Sequence, residues 1–131
     1  SFPISILVAD VDQLKQINDH AGHAAGDEML KRAAQVLTTA FRVDDIVARI
    51  GGDEFAVLLP ATNSDVVKVL VERVRQILQE QQTVHPETPL GLSLGVSTAE
   101  RPSSLVKNLK EADANMYRDK QSRDHSAGTR V

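Results

Sequence analysis

Asp53 and Glu54 follow two glycines in the run Arg49-Ile50-Gly51-Gly52-Asp53-Glu54-Phe55-Ala56-Val57-Leu58-Leu59, so adjacent carboxylates head an apolar segment. Gly-Gly between apolar runs predicts a two-residue hairpin turn, because glycine takes positive φ without steric cost. Neighbouring carboxylates repel in a low dielectric and need a cation or solvent beside them. A metal site and a solvated turn both fit. A second acidic pair, Asp10 and Asp12, closes the apolar run Ile4-Ser5-Ile6-Leu7-Val8-Ala9, which reads as a buried strand. If the strand continues, these two acids share a face; if it bends, one of them points away. Hard divalent cations (Mg2+ or Mn2+) take carboxylate and carbonyl oxygens and hold substrate phosphates in their remaining positions. Acids at strand ends therefore point to phosphoryl transfer.

The elements that must carry these acids follow from hydrophobic spacing. Leu14 and Ile17 predict a short helix that ends near Gly22, where glycine permits a left-handed exit. Leu30, Ala33, Ala34, Leu37 and Phe41 recur at helical spacing and predict a longer amphipathic helix with that face in the core. Residues 46–50 and 55–59 form the hairpin arms, and Pro60 ends the second because it cannot donate to a ladder. A helix over residues 64–80 buries Val67, Leu70, Val74, Ile77 and Leu78, with Ser64 as N-cap. Residues 90–96 alternate as a strand, and residues 103–120 read as a last helix with Leu105, Leu109, Ala112 and Met116 as its stripe. The polar stretch from Ser122 to Val131 reads as a fraying tail. The order βααββαβα suits an α+β domain, a mainly antiparallel sheet flanked by helices and related to the ferredoxin-like split βαβ plan.

The chain has 131 residues, 41% of them hydrophobic, which is one domain with a single core. Fifteen basic residues stand against 18 acidic ones, for a formal charge of −3, so a nucleic acid polymer or an anionic membrane is not the expected partner. With no cysteine there is no disulfide, thiolate metal site or cysteine nucleophile. No signal peptide or spanning apolar stretch is visible, and the reading is cytoplasmic, with room for a membrane tether elsewhere in a full-length protein. The chain opens beside a strand without an initiating methionine. It therefore reads as residues 1–131 of a single, N-terminally truncated domain excised from a larger multidomain signalling protein.

The ordered segments Asp10-Val11-Asp12-Gln13-Leu14-Lys15, Asn18-Asp19, Gly22-His23, Gly26-Asp27-Glu28 and Gly51-Gly52-Asp53-Glu54-Phe55 together closely resemble the GGDEF diguanylate cyclase domain. The likeness continues through Ser93-Leu94-Gly95-Val96 and Ala112-Asp113-Ala114-Asn115-Met116-Tyr117-Arg118-Asp119-Lys120, so it covers nearly the whole chain. It implies a palm-like nucleotide cyclase architecture that brings Asp10 near Asp53 and Glu54. It also implies condensation of two GTP into cyclic di-GMP, in which each ribose 3′-hydroxyl attacks an α-phosphate and expels pyrophosphate.

By the resemblance, Asp10, the Val11 carbonyl and Asp53 are metal ligands, and Glu54 is the proton acceptor with a share in the metal. Lys15 stabilises phosphate charge, Gln13 and Leu14 offer backbone amides, and Gly51 and Gly52 let the nucleotide approach. Asn18 and Asp27 resemble the guanine-reading pair, with His23 a further substrate contact; capping and turn formation are their ordinary structural uses. Lys120 resembles a phosphate-binding lysine, and Arg123, three residues on, shares its helix face. Arg42-Val43-Asp44-Asp45 matches the product-inhibition motif, where Arg42 and Asp45 grip cyclic di-GMP; an exposed ion-paired loop is the alternative. Catalysis in this family needs a homodimer of facing half-sites, usually imposed by an upstream sensory or receiver domain. A catalytically silent module that senses GTP or cyclic di-GMP is the competing function.

Overall fold

The computed structural model describes residues 1–129, with side chains through Arg123. Its elements run β1 (Ile4–Val11), α1 (Leu14–Ala21), α2 (His23–Ala40), β2 (Ile46–Arg49), β3 (Glu54–Leu59), α3 (Ser64–Val84), β4 (Leu92–Ala99), a 3-10 turn (Pro102–Ser104) and α4 (Leu105–Thr129). This is the expected order βααββαβα. The four strands form one antiparallel sheet in the order β2-β3-β1-β4, so the most apolar strand is central.

Alternation along β1 sends its side chains to two different layers. Leu7, Ala9 and Val11 join the main core with Val57 and Leu59 of β3, Val36 and Leu37 of α2, and Val67 and Val74 of α3. Ile6 and Val8 face the other way, into a smaller cluster with Ala112 and Met116 of α4. Asp10 is the next residue in that second row, which is why it faces α4. The cross-strand register sets Glu54 directly opposite Asp10, and paired residues on adjacent strands share a face.

Several expectations are corrected. Ile50–Asp53 forms a longer connection in place of a two-residue turn, with Ile50 N–H and Gly51 N–H both donating to the Glu54 carbonyl (2.9 and 3.3 Å). Neither Gly51 nor Gly52 has positive φ; the glycine that does is Gly22, at φ 89, where α1 gives way to α2. The α3 N-cap is Asn63, whose side chain accepts from Val66 N–H, and Ser64 is already helical. Leu109 is 40% exposed rather than core. Phe41 is buried but lies just beyond α2, as its C-cap. The stretch read as a fraying tail is helical through Thr129; residues 130 and 131 lie outside the described residues.

Candidate active site

α1 and α2 meet at Gly22 and form one wall of a cleft of about 430 Å³, and the β2–β3 loop forms the other. Leu14, Lys15, Asn18, His23 and Asp27 line it together with Gly52 and Asp53, so seven of the residues singled out in the sequence converge. Asn18 is held in an unusual way. A Cβ on Gly26 would overlap its Oδ1, so the bare α2 backbone at Gly26 is what lets the amide lie flat in the cleft wall. Asn18 Oδ1 is buried there with no hydrogen-bond partner. Buried carbonyl oxygens are nearly always satisfied, and this one packs against the Gly26 backbone instead.

The Asp10 carboxylate lies beyond the Asp53 end of that cleft and is 5% exposed. Its Oδ2 accepts from Lys120 Nζ at 2.9 Å, whereas its Oδ1 is buried with no partner. Burial, together with the nearby Asp53 carboxylate, pushes the Asp10 pKa up to about 6 against the opposing pull of Lys120. Pairing with Asp10 in turn raises the Lys120 pKa. Glu54 is also raised, by burial first and then by the charges of Asp113 and Asp53. Burial is the first cause for both acids, with neighbouring carboxylates adding to it and Lys120 opposing it.

These acids fit a divalent cation. An ionised Asp10 Oδ1 lacks any donor, with Glu54 opposite it on the adjoining strand and Asp53 close by in the loop before that strand. Among the described residues, no three His, Asp or Glu side chains are gathered tightly enough to hold a metal by themselves. Val11 is within this geometry, since its N–H donates to the Asp53 carbonyl at 2.9 Å.

Other expected residues lie apart. Asp12 is tied to β4: its Oδ1 accepts from Ser93 Oγ at 2.5 Å, Ser93 being the cross-strand partner of Asp10, and burial raises its pKa. Gln13 is left-handed (φ 57) at the start of α1 and lines a separate cavity of about 700 Å³ on the far flank of that helix. Arg123 lines that same cavity, with Nε 3.4 Å from Asp119 and Nη1 3.9 Å from Asp12. Lys120 instead lines a cleft of about 440 Å³ with Asp10, Glu54 and Asp113, so the shared helix face does not bring Lys120 and Arg123 together. Arg42 donates to Asp45 from Nη2 (3.3 Å), to the Pro60 carbonyl (3.1 Å) and to Thr62 Oγ1 (2.6 Å), tying two loops together at the opposite end of the sheet.

The fold leaves room around Gly51 and Gly52. A Cβ on Gly52 would meet nothing within 4 Å, and one on Gly51 would meet only Glu54 Cβ at 3.5 Å. Neither φ nor internal packing requires glycine at these positions. Sequence reasoning passed over Arg49 and Asp19, which line the nucleotide-sized cleft, and Asp113, which stands beside Glu54. Arg49 had a signal, a cation one residue before the Gly-Gly loop. Asp113 had only its place in the Ala112-Asp113-Ala114-Asn115-Met116-Tyr117 segment.

A palm of four antiparallel strands with paired acids at the β1 and β3 tips and a polar cleft beside them defines a nucleotide-cyclase class of site. The sequence-family model for the diguanylate cyclase GGDEF domain matches residues 1–126, and the chain belongs to that family. It is 36% identical over 121 residues to Diguanylate cyclase A of Treponema denticola, covering 90% of this chain and 33% of that protein. The chain thus spans about a third of the length of this curated relative. Among solved structures it is similar to the active GGEEF domain of a diguanylate cyclase from Vibrio cholerae (TM-score 0.79, 30% identity, 92% of this chain and 78% of that one). It is also similar to the GGDEF domain of DgcB from Caulobacter crescentus in complex with c-di-GMP (TM-score 0.80, 27% identity, 91% and 72%). No helix of the described residues is long and apolar enough to cross a membrane.

Proposed function

We propose that this domain condenses two GTP into cyclic di-GMP with release of two pyrophosphates, each GTP held by one copy of a homodimer. The observation that carries this reading is the continuity of one cleft. Guanine-compatible groups (Asn18, Asp27, His23) line it, Lys15 stands between, and Asp53 borders its other wall. Asn18 offers both a donor and an acceptor, and Asp27 accepts from the guanine N1 and exocyclic amine, a pattern that adenine does not match. Lys15 supplies positive charge where the phosphates would lie, and the Gly51–Gly52 edge admits them closely. Magnesium or manganese, held by Asp10, the Val11 carbonyl, Asp53 and Glu54, would supply Lewis-acid polarisation of the α-phosphate. Of the two tip acids, Glu54 takes the proton of the attacking 3′-hydroxyl; its raised pKa suits a group that must accept and release a proton.

Lys120 is a phosphate ligand that in this state is parked on Asp10. Arg123 and Gln13 contribute less directly, from the far side of α1, where Gln13 offers only its backbone. Arg42 and Asp45 form a product site when cyclic di-GMP competes for the Arg42 guanidinium. The domain is one catalytic module of a longer signalling protein whose regulatory part sets the dimer, and its use of GTP assigns it to the cytoplasmic side.

The test is a concentration series of purified protein with GTP and magnesium, following cyclic di-GMP and pyrophosphate together by chromatography. Product that rises more steeply than linearly with protein supports a dimeric cyclase. Nucleotide binding without product, even in a forced dimer, replaces this reading with a sensing module.

A further inference from the structure

The β2–β3 loop carries Asp53 and leads straight into Glu54, the first residue of β3, yet little of the usual turn chemistry holds it in shape. Its glycines are not left-handed. Its ends are anchored: Ile50 and Gly51 N–H groups share the Glu54 carbonyl, and the Asp53 carbonyl accepts from Val11 N–H. Its middle is held by one side chain. Arg49 donates from Nε to the Gly51 carbonyl (3.1 Å) and from Nη2 to the Gly52 carbonyl (2.8 Å), folding back over the loop that follows it. The same residue lines the cleft beside Lys15, Asn18 and Asp53.

We propose that Arg49 is a positioning residue for catalysis, a guanidinium clamp that fixes the Gly51–Gly52 segment and through it aims Asp53 and Glu54; the catalytic part of this inference rests on the cyclase reading above. Two features make arginine the right residue. Its rigid planar fork spans two successive carbonyls at once, which one lysine ammonium on a flexible stem does not reproduce. The carbonyls it covers would otherwise present partial negative charge toward a triphosphate, beside a carboxylate that already does so. Asp53 follows the second clamped carbonyl directly, and Glu54 follows Asp53, so rotation of the Gly52 peptide is transmitted at once to the acids. Misplacing a reacting group by about 1 Å costs up to about 10²-fold in rate.

The experiment compares the parent chain with Arg49→Lys and Arg49→Ala by amide hydrogen exchange and by GTP turnover with magnesium. Exchange at Ile50 and Gly51, whose N–H groups share the Glu54 carbonyl, and at Val11, which donates to the Asp53 carbonyl, should quicken about tenfold in both variants while the rest of the β1–β4 ladder is unchanged, as expected for local opening. The kcat should fall about tenfold or more in both, with GTP KM within about threefold, because geometry rather than binding is lost. Unchanged exchange at Ile50, Gly51 and Val11 overturns the clamp. A lysine variant with parental kcat overturns the fork argument and reduces Arg49 to a charge. If the parent chain itself makes no cyclic di-GMP, the cyclase reading fails, and with it the catalytic half of this inference, while exchange alone still decides whether the clamp exists.

Discussion

Along the outer edge of β4, α4 takes up backbone groups that face away from β1. Leu94 N–H donates to Asp119 (2.8 Å), Asn115 Nδ2 to the Val96 carbonyl (2.9 Å) and Asn108 Nδ2 to the Thr98 carbonyl (3.1 Å). Gly95 lies so close beneath α4 that a Cβ would overlap Met116 N and the Ala112 carbonyl. At the tips of β1 and β3 the same kinds of residue are used in the opposite way. Asp10 Oδ1 at the β1 tip and Asn18 Oδ1 on α1 beside it are buried without partners, and Gly52 in the β2–β3 loop faces empty space. One side of the sheet is closed on itself, and the other is built to be completed from outside. Unsatisfied buried polar atoms are costly, and of the three among the described residues two, Asp10 Oδ1 and Asn18 Oδ1, belong to the candidate site, the third being Arg32 Nη2 on α2.

The sharpest way to break this contrast is Glu54→Gln. Loss of a general base should lower turnover by about 10²–10⁴-fold. The thermal midpoint should hold or rise, because burial and the Asp113 and Asp53 charges all oppose ionised Glu54 in the fold. Undiminished cyclic di-GMP formation by chromatography would remove Glu54 from the chemistry.

Next come the two glycine classes. Gly95→Ala should cost about 1–3 kcal/mol or more in chemical denaturation, since backbone rather than a flexible side chain blocks the methyl. Gly52→Ala should leave the denaturation midpoint nearly unchanged yet weaken GTP turnover, because the methyl projects only where a nucleotide would come. Equal stability losses at the two positions would erase the distinction drawn between the sides.

The element order was legible because each helix and strand carries its own apolar period, and local periodicity survives in a single sequence. Ser64 was misassigned as a cap because Asn63 and Ser64 are adjacent residues of equal capping quality, and only backbone φ and ψ separate them. The Gly51–Gly52 turn was misread for a deeper reason. Glycine is required both by strained backbone and by open approach, and its letter does not say which. The grouping of Asn18, His23, Asp27 and Asp53 in one cleft was legible only through the family resemblance; residue types alone left capping and turn formation open. Arg49, Asp113 and the Lys120–Asp10 pair depend on how a loop folds back and how α4 crosses the sheet, and a distance of 110 residues along the chain leaves no local trace.

A smaller effect sharpens the comparison within the cleft. Gly26→Ala removes a helix-interior glycine, which by propensity alone would stabilise α2 by up to about 1 kcal/mol. The overlap with Asn18 Oδ1 opposes that gain, and Asn18 is a side chain that can swing away. The expected result is therefore a near-neutral change in stability joined to a selective loss of guanine recognition, read as GDP and ADP affinities by calorimetry. GDP binding should weaken by about tenfold, the scale of one lost hydrogen bond, with ADP unaffected. An equal loss for both nucleotides would mean that the methyl blocks the cleft as a whole, and that Gly26 serves access rather than the placement of Asn18.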